Sequence, residues 1–372
     1  MNQEMTILIT HIPILVLIAV IGYIIPFYLK KENLFGVRLS EKEIQVFKVG
    51  QIKQEFKQSY LIVIVLFMLV ASILLYSFPQ ETLGGVLICF QIILLYTILV
   101  FYNRKVLSMK MRLKSTDEKF IEDEWLTVDT QTRTKSKILS NLWFIPSILL
   151  VLAHFIIALL QFGNLPLSIP LSFDLSGNII AYTEKTLFSV LRYPAISLFL
   201  LIILLGIFFV IKISKQQLSV KSPNKSKIQD TLFRKRWALY FTIFTPLMII
   251  YSIILSLQYL LVISISGWMF IVVSLVMPMM IVVGGLILAI YTGQSGSGIN
   301  VDIKERKIKT VAVDDNKYWK LGLFYFNSHD PSIIIEKRMG IGWTINFGNP
   351  VAVGGFIGFI SLLLIYVRIF GL

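Results

Sequence analysis

Apolar residues in this chain neither alternate nor gather on one helical face. They come in unbroken runs separated by polar stretches. Eight runs are long enough, or nearly so, to cross a bilayer: 7–29, 60–78, 83–102, 142–161, 187–211, 237–262, 268–291 and 351–370. A spanning helix needs roughly 20 residues at about 1.5 Å each to cross a hydrocarbon core of about 30 Å. Lipid offers no partner to an unpaired backbone amide, and the period-2 alternation of a barrel strand is absent, so the runs predict helices. The pattern therefore predicts an all-α integral membrane bundle of about eight transmembrane helices, with a small cytoplasmic β-rich module. The first run does not read as a cleaved leader, because residues 1–6 carry no Lys or Arg and 23 apolar residues exceed a signal peptide's core.

The runs divide the chain into four regions. Residues 1–141 form an N-terminal transmembrane region with two basic loops, and 142–291 a central one carrying the loop "IPLSFDLSGN". Residues 292–350 form the small module and 351–372 the final helix. In loop 30–59, Phe35–Gly36 reads as a turn. From Ser40 the loop reads as a helix, with Ser40 and Glu43 at capping-box spacing and Ile44, Phe47, Ile52 and Phe56 at helical intervals. Interleaved Lys42, Lys48, Lys53 and Lys57 would lay that helix on the membrane surface. Loop 103–141 carries the acidic "DEKFIEDEW", which lacks the glycine spacing of a calcium loop and reads as a solvated face, followed by a short strand in "WLTVDT". "TGQSGSG" reads as a flexible tether, with no Gly-Lys-Ser/Thr to cradle phosphate. After it, 323–327, 333–337 and 343–347 read as strands joined by turns at 328–331 and 340–342.

Composition agrees with the pattern. The chain is 56% hydrophobic with mean hydropathy +0.77, and only 15% charged, against about 25% in a soluble domain. The net charge of +14 would suggest nucleic acid, but its placement argues otherwise. Loops 30–59, 103–141, 212–236 and 292–350 hold seven, nine, eight and eight basic residues, 32 of the 35 Lys and Arg. Alternate loops enriched in this way are cytoplasmic, so both termini face out and the charge serves orientation and anionic lipid. Arg234–Arg236 would anchor the start of the sixth span, with Trp237 at the interface. Cys89 is the only cysteine, which leaves no intrachain disulfide.

Candidate chemistry is sparse. His11, His154 and His329 lack a second ligand at metal spacing, and no Asp or Glu lies inside a span. His154 reads as a neutral imidazole bonded to a neighbouring helix carbonyl, with a proton or ligand contact as the alternative. Pro246 and Pro278 read as kinks, and Gly354 and Gly358 as a close-packing face within the bundle. No nucleophile–base pair, metal set or cofactor motif emerges, so the expectation is a non-enzymatic protein without cofactors. The one external loop of real length, 162–186, has Pro166 and Pro170 to extend it and Gly177–Asn178 to turn it. Asp174 and Glu184 are its carboxylates and Lys185 its cation. With Phe173 and Tyr182 they are the candidates for external contact, either as a solvated re-entry loop or as a dock for a cationic peptide. In the module, Trp319, Tyr325, Asp330, Arg338 and Trp343 are the candidates for contact with a cytoplasmic protein. Trp319, Tyr325, Ile334 and Trp343 are expected on one apolar face.

"LPLSIPLSFDLSGNIIAYTEKT" resembles the signature of a bacterial membrane family of unknown function whose domain accompanies the SdpI-type immunity proteins. Pro166, Pro170, Phe173, Gly177 and Lys185 match it. Ser172 stands where many relatives have His, and Tyr182 where the usual residue is Trp. "FGVRLSEKE", "RKRW", "TGQSGSG" and "DDNKYWKLGLFYFNSHDPSIIIEKRMGIGWTINF" are similar to further blocks of that group, the last being its small domain of unknown function. The resemblance implies protection against toxic peptides or signalling to a repressor. A transporter or flippase using the kinked spans, and an accessory subunit of a membrane complex, are the alternatives.

The charge pattern makes one direct prediction. In a Cys89→Ser background, Asn178→Cys should label from outside intact cells, and Lys225→Cys or Lys304→Cys only after permeabilisation. Labelling at position 304 in intact cells would overturn the orientation.

Overall fold

The computed structural model describes residues 3–28, 30, 32–116, 138–174, 176–214, 222–265, 267–302 and 315–370. The expected acidic face at 117–124 and the strand at 125–130 lie outside the described residues. Among the described residues, eight helices are long and apolar enough to cross a membrane, and each expected run overlaps a different one of them. The chain is a multi-pass membrane protein by length and composition.

The first three spans are α1 (Gln3–Ile24), α3 (Val49–Ser77) and α4 (Glu81–Thr116). They pack on one another around Leu15, Ala71, Leu75 and Leu87. Between α1 and α3 lie a two-stranded turn, β1 (Asn33–Leu34) with β2 (Val37–Arg38), and a short α2 (Glu41–Val46). Ser40 caps α2 in the expected box, its hydroxyl taking the Glu43 N–H while the Glu43 carboxylate takes the Ser40 N–H. The surface helix, however, ends after six residues. Lys48 adopts a left-handed conformation, φ +45°. From Val49 the chain belongs to the spanning helix, so Ile52 and Phe56 bury in the α3–α4 core rather than in a lipid surface.

The second group is α5 (Ile145–Phe162), α6 (Leu187–Ile213) and α7 (Pro223–Tyr259), packed around Phe144, Val151, Phe208, Ala238 and Ile249. The hairpin β3 (Ser168–Phe173) and β4 (Ile179–Glu184) joins α5 to α6. Helix α7 starts well before the expected interface residue Trp237 and takes "RKR" into its fourth turn. Arg234 is buried there, with Nε 2.7 Å from Asp230 Oδ2 and Nη1 donating to the Ile211 carbonyl, 2.7 Å. It thus closes the C-terminus of α6, where a cation meets the negative end of the helix dipole. His154 is bonded across helices as expected, but to a hydroxyl rather than a carbonyl: Nδ1 is 2.9 Å from Ser197 Oγ, which donates to Ser252 Oγ.

Helices α8 (Trp268–Ile271) and α9 (Met277–Thr292) run through one π-helical turn at Val272–Val276. Pro278 has no N–H to give, and the widened turn just before it accommodates that loss. Two small hairpins follow, β5 (Trp319–Lys320) with β6 (Phe324–Tyr325) and β7 (Ile334–Glu336) with β8 (Trp343–Ile345), then α10 (Pro350–Phe370). The Gly354–Gly358 face does not pack within the bundle, because a Cβ at either glycine would meet nothing within 4 Å. Helix α10 instead leans on its neighbours through Tyr366, stacked on Phe199 at 4.8 Å, and Phe356 against Phe347.

"TGQSGSG" is no tether. Gln294, Ser295 and Gly296 are buried in a compact turn against α7. The Gln294 Oε1 accepts the Lys30 N–H at 3.0 Å and the Asn33 amide at 3.3 Å, while its Nε2 donates to the Lys337 carbonyl. Its own N–H donates to the Tyr28 carbonyl, 3.0 Å. Gly296, at φ +82°, lies so close to the Gln229 carbonyl of α7 that no Cβ fits. Gln294→Leu should orphan three groups from two chain segments, the Lys30 N–H, the Asn33 amide and the Lys337 carbonyl, at about 1–3 kcal/mol each where they stay buried. The thermal midpoint of the full chain in detergent should fall by several degrees. An unchanged midpoint would mean that the turn is not structural.

Candidate functional site

The candidate residues fall at opposite ends of the bundle. At the end away from the basic loops, β3 and β4 pair antiparallel, with Ile169 opposite Thr183 and Pro170 opposite Tyr182. Pro170 leaves this two-stranded ladder little to lose, since both strands are edges. The Asp174 carboxylate closes the turn. Oδ1 accepts the Ser176 and Asn178 N–H groups at 2.8 Å each, and Oδ2 accepts the Asn178 amide at 3.0 Å. Burial would raise the Asp174 carboxyl, and the hydrogen bonds from Asn178 and Ser176 more than reverse it, so it sits below its ordinary value. Phe173 turns inward, its ring 4.8 Å from Tyr259 and 5.8 Å from Phe270. The Ser176 carbonyl accepts the Gly267 N–H, 2.8 Å, which ties the turn to the loop before α8.

Lys185 is equally occupied. Its ammonium donates to the Leu165 and Phe162 carbonyls at 2.8 and 3.3 Å and lies over the Phe162 ring, so it closes the C-terminus of α5. Of the five candidates in this loop, only Tyr182 and Glu184 present exposed side chains. Ile180, two residues from Tyr182 on the same face of β4, is also well exposed.

The other five candidates build a folded module rather than an open contact face. Trp319 and Tyr325 pair across β5 and β6 and cluster with Ile335. Ile334 was expected there, together with Trp343. In the observed register Glu336 lies opposite Trp343 and Ile334 opposite Ile345, which places these four on the other face from Ile335. Trp343 packs instead on Phe233 of α7, 5.8 Å between rings. The Tyr325 hydroxyl donates to Asp330 Oδ2 at 3.1 Å and is pushed up to about 12 by burial, with Asp330 adding to the shift. Asp330 Oδ1 accepts the Ser332 N–H, so this carboxylate shapes its own turn.

Arg338 is almost wholly buried. Its guanidinium pairs with Asp315, donates to Asn316 Oδ1 and lies over the Trp319 ring at 5.1 Å. Asn316 also bonds the Arg38 backbone on both sides, N–H to Oδ1 at 2.9 Å and Nδ2 to carbonyl at 3.1 Å. Lys30 reaches Glu336 at 3.1 Å, and Lys110 of α4 reaches both Glu43 and the Arg38 carbonyl. The turn Phe35–Gly36 nests against a second turn at Leu321–Gly322. A Cβ on Gly36 would lie 2.7 Å from the Gly322 backbone, and Asn103 of α4 seals the joint by donating to the Phe35 carbonyl at 2.7 Å. "FGVR" and "WKLGLF", far apart in the chain, are thus one joint.

Asn346 is the residue that sequence reasoning missed. Fully buried, it donates to the Asn327 and Asp330 carbonyls and accepts the Asn327 and Gly348 N–H groups. Its place in "INFGNP", beside a turn glycine, was the available signal.

Residues 329–353 match a family of unknown function (DUF5808), a stretch that contains Asp330, Arg338, Trp343 and Asn346. Neither a curated protein nor a solved structure matches the chain.

The Asp174 geometry sets a prediction. A carboxylate held below its ordinary value contributes stability that is complete above about pH 3.9 and is lost as pH falls through the lowered value. An NMR titration of the Asp174 carboxyl carbon should therefore give a midpoint below about 3.9, and a midpoint at or above it would sink the assignment. Asp174→Ala should open the turn to protease at 175–178 at neutral pH, while the module remains resistant.

Proposed function

We propose that this chain is a non-enzymatic membrane sensor or immunity-type protein, whose β3–β4 hairpin meets a cationic peptide or envelope component outside the cell. The Lys- and Arg-rich loops face the cytoplasm in this reading, where the module contacts a protein partner. The observation that carries it is helix α7. This one helix of 37 residues, about 55 Å at helical rise, holds the hairpin at one end and the module at the other. Tyr259 receives the Phe173 ring, and Phe233 receives Trp343. A shift at the hairpin therefore has a direct mechanical route to the module. The resemblance of the hairpin sequence to the SdpI-associated family supports the same reading.

Docking falls to Tyr182 and Glu184, because Asp174, Phe173 and Lys185 are held by the fold. A carboxylate steers a cationic partner and loses force with salt, while an exposed tyrosine gives it an amphipathic surface. The test is a deletion strain challenged with a panel of membrane-active peptides and complemented in turn. Wild type should restore resistance to at least one peptide. Tyr182→Ala with Glu184→Gln should fail to do so at undiminished membrane abundance. Phe233→Ala should retain peptide binding but lose the downstream response. Full protection by the hairpin double variant would leave the loop as structure only.

A further inference from the structure

Of the 35 basic residues, only Lys185, Arg192 and Arg368 lie outside the four basic loops. Lys185 is satisfied by carbonyls. The other two line the same cavity, about 340 Å³, beneath the β3–β4 hairpin. Two contacts bring them together. Arg192 sits early in α6, whose N-terminus is fixed by the Thr186–Ser189 capping box. Arg368 sits in the last turn of α10, held at this depth by the Tyr366–Phe199 stack. Thr183 and Tyr193 add polar walls, and Leu171 an apolar one.

An arginine at the edge of the hydrocarbon region is costly unless paired. The Arg192 Nε is buried without a hydrogen-bond partner, and among the described residues neither guanidinium has a carboxylate partner. No Asp or Glu lines the cavity. Glu184, next to Thr183 in β4, points out to solvent. The cavity also adjoins the N-terminal turns of α6, where the helix dipole adds positive potential. Two planar forks converging from different helices suit an anion with more than two acceptor oxygens, which favours phosphate over a single carboxylate. Beside it Phe188 is 66% exposed, an apolar flank fit for an acyl chain.

We propose that this cavity is a phosphate-binding site in which Arg192 and Arg368 clasp one phosphate group, either of a lipid headgroup or free. The site stands apart from the sensing reading, since neither Tyr182 nor Glu184 lines it.

The test uses the full chain in neutral detergent, with equilibrium binding of short-chain phosphatidylglycerol, inorganic phosphate and, as the uncharged control, short-chain diacylglycerol. At least one phosphate probe should bind saturably and more tightly than the control. Arg192→Gln with Arg368→Gln should weaken it by at least about tenfold, while Lys225→Gln with Lys227→Gln at the far end leaves it unchanged. Phosphatidylglycerol binding that inorganic phosphate does not displace identifies a lipid headgroup. Tight binding of inorganic phosphate identifies a free anion. Should the Gln pair fail to remain monodisperse, Arg192→Lys with Arg368→Lys keeps the charge but not the fork, and should bind with an intermediate loss. Phosphate probes no better than diacylglycerol, binding untouched in the folded Gln or Lys pair, or acetate bound as tightly as phosphate would each overturn the site.

Discussion

One side-chain amide closes three separate stretches of backbone against each other. Gln294 joins the segment after α1, the end of α9 and the strand end at Lys337, and each of its side-chain bonds runs between segments far apart in sequence. Its weight follows from the solvent. Within a bilayer, apolar side chains gain little by leaving lipid for one another, so helix packing alone registers a bundle weakly. Register must come from polar groups that have nowhere else to bond. The amide sits at the centre of such a set, with Lys30–Glu336, Arg338–Asp315 and the Phe35–Gly36 joint around it. Remove it, and the α1–α3–α4 group and the module lose one of the polar ties between them.

The opposite end is held differently. There the hairpin rests on the aromatic contact of Phe173 with Tyr259 and Phe270, on one backbone bond from Gly267, and on the Lys185 cap of α5. The Asp174 bonds shape the turn without fastening it to the helices. A chain with alternate loops of contrasting charge thus carries contrasting architecture too: an ion-paired, interlocked end and an aromatic, lightly fastened one.

How legible was this in the sequence? The eight spans were, because lipid forces every spanning run to be long, apolar and helical. The Ser40–Glu43 box was as well, since both partners lie within one turn. The failures share one cause, which is that long-range partners leave no local trace. "TGQSGSG" has the composition of a linker, and only Lys30, Asn33 and Lys337 make it a buried junction. Asp174 looked like a free carboxylate until Ser176 and Asn178 used both its oxygens. Trp343 and Ile334 were rightly placed on one strand face, but which face meets Trp319 is decided by register, and Ile335 occupies that position. Arg192 and Arg368 stood out only as exceptions to a charge rule, and their convergence needed the fold.

Under the proposed sensing function, the energetic contrast between the two ends constrains how a signal would cross the bundle. Breaking a buried ion pair by removing one partner costs about 3–5 kcal/mol, and at least Lys110–Glu43 and Arg234–Asp230 are deeply buried. An aromatic contact such as Phe173 on Tyr259 is worth about 0.5–1.5 kcal/mol beyond its burial. A ligand shifts an equilibrium only by its differential affinity for the two states. A partner of modest affinity therefore has enough free energy to move the hairpin on its aromatic seat, and too little to unlock the buried ion pairs of the opposite end one by one. The lower-cost response is a displacement of α7 that carries Phe233 with it and slides Trp343 along its partly buried contact. Transmission of that kind requires a stiff rod between a soft end and a hard one, and α7 touches both.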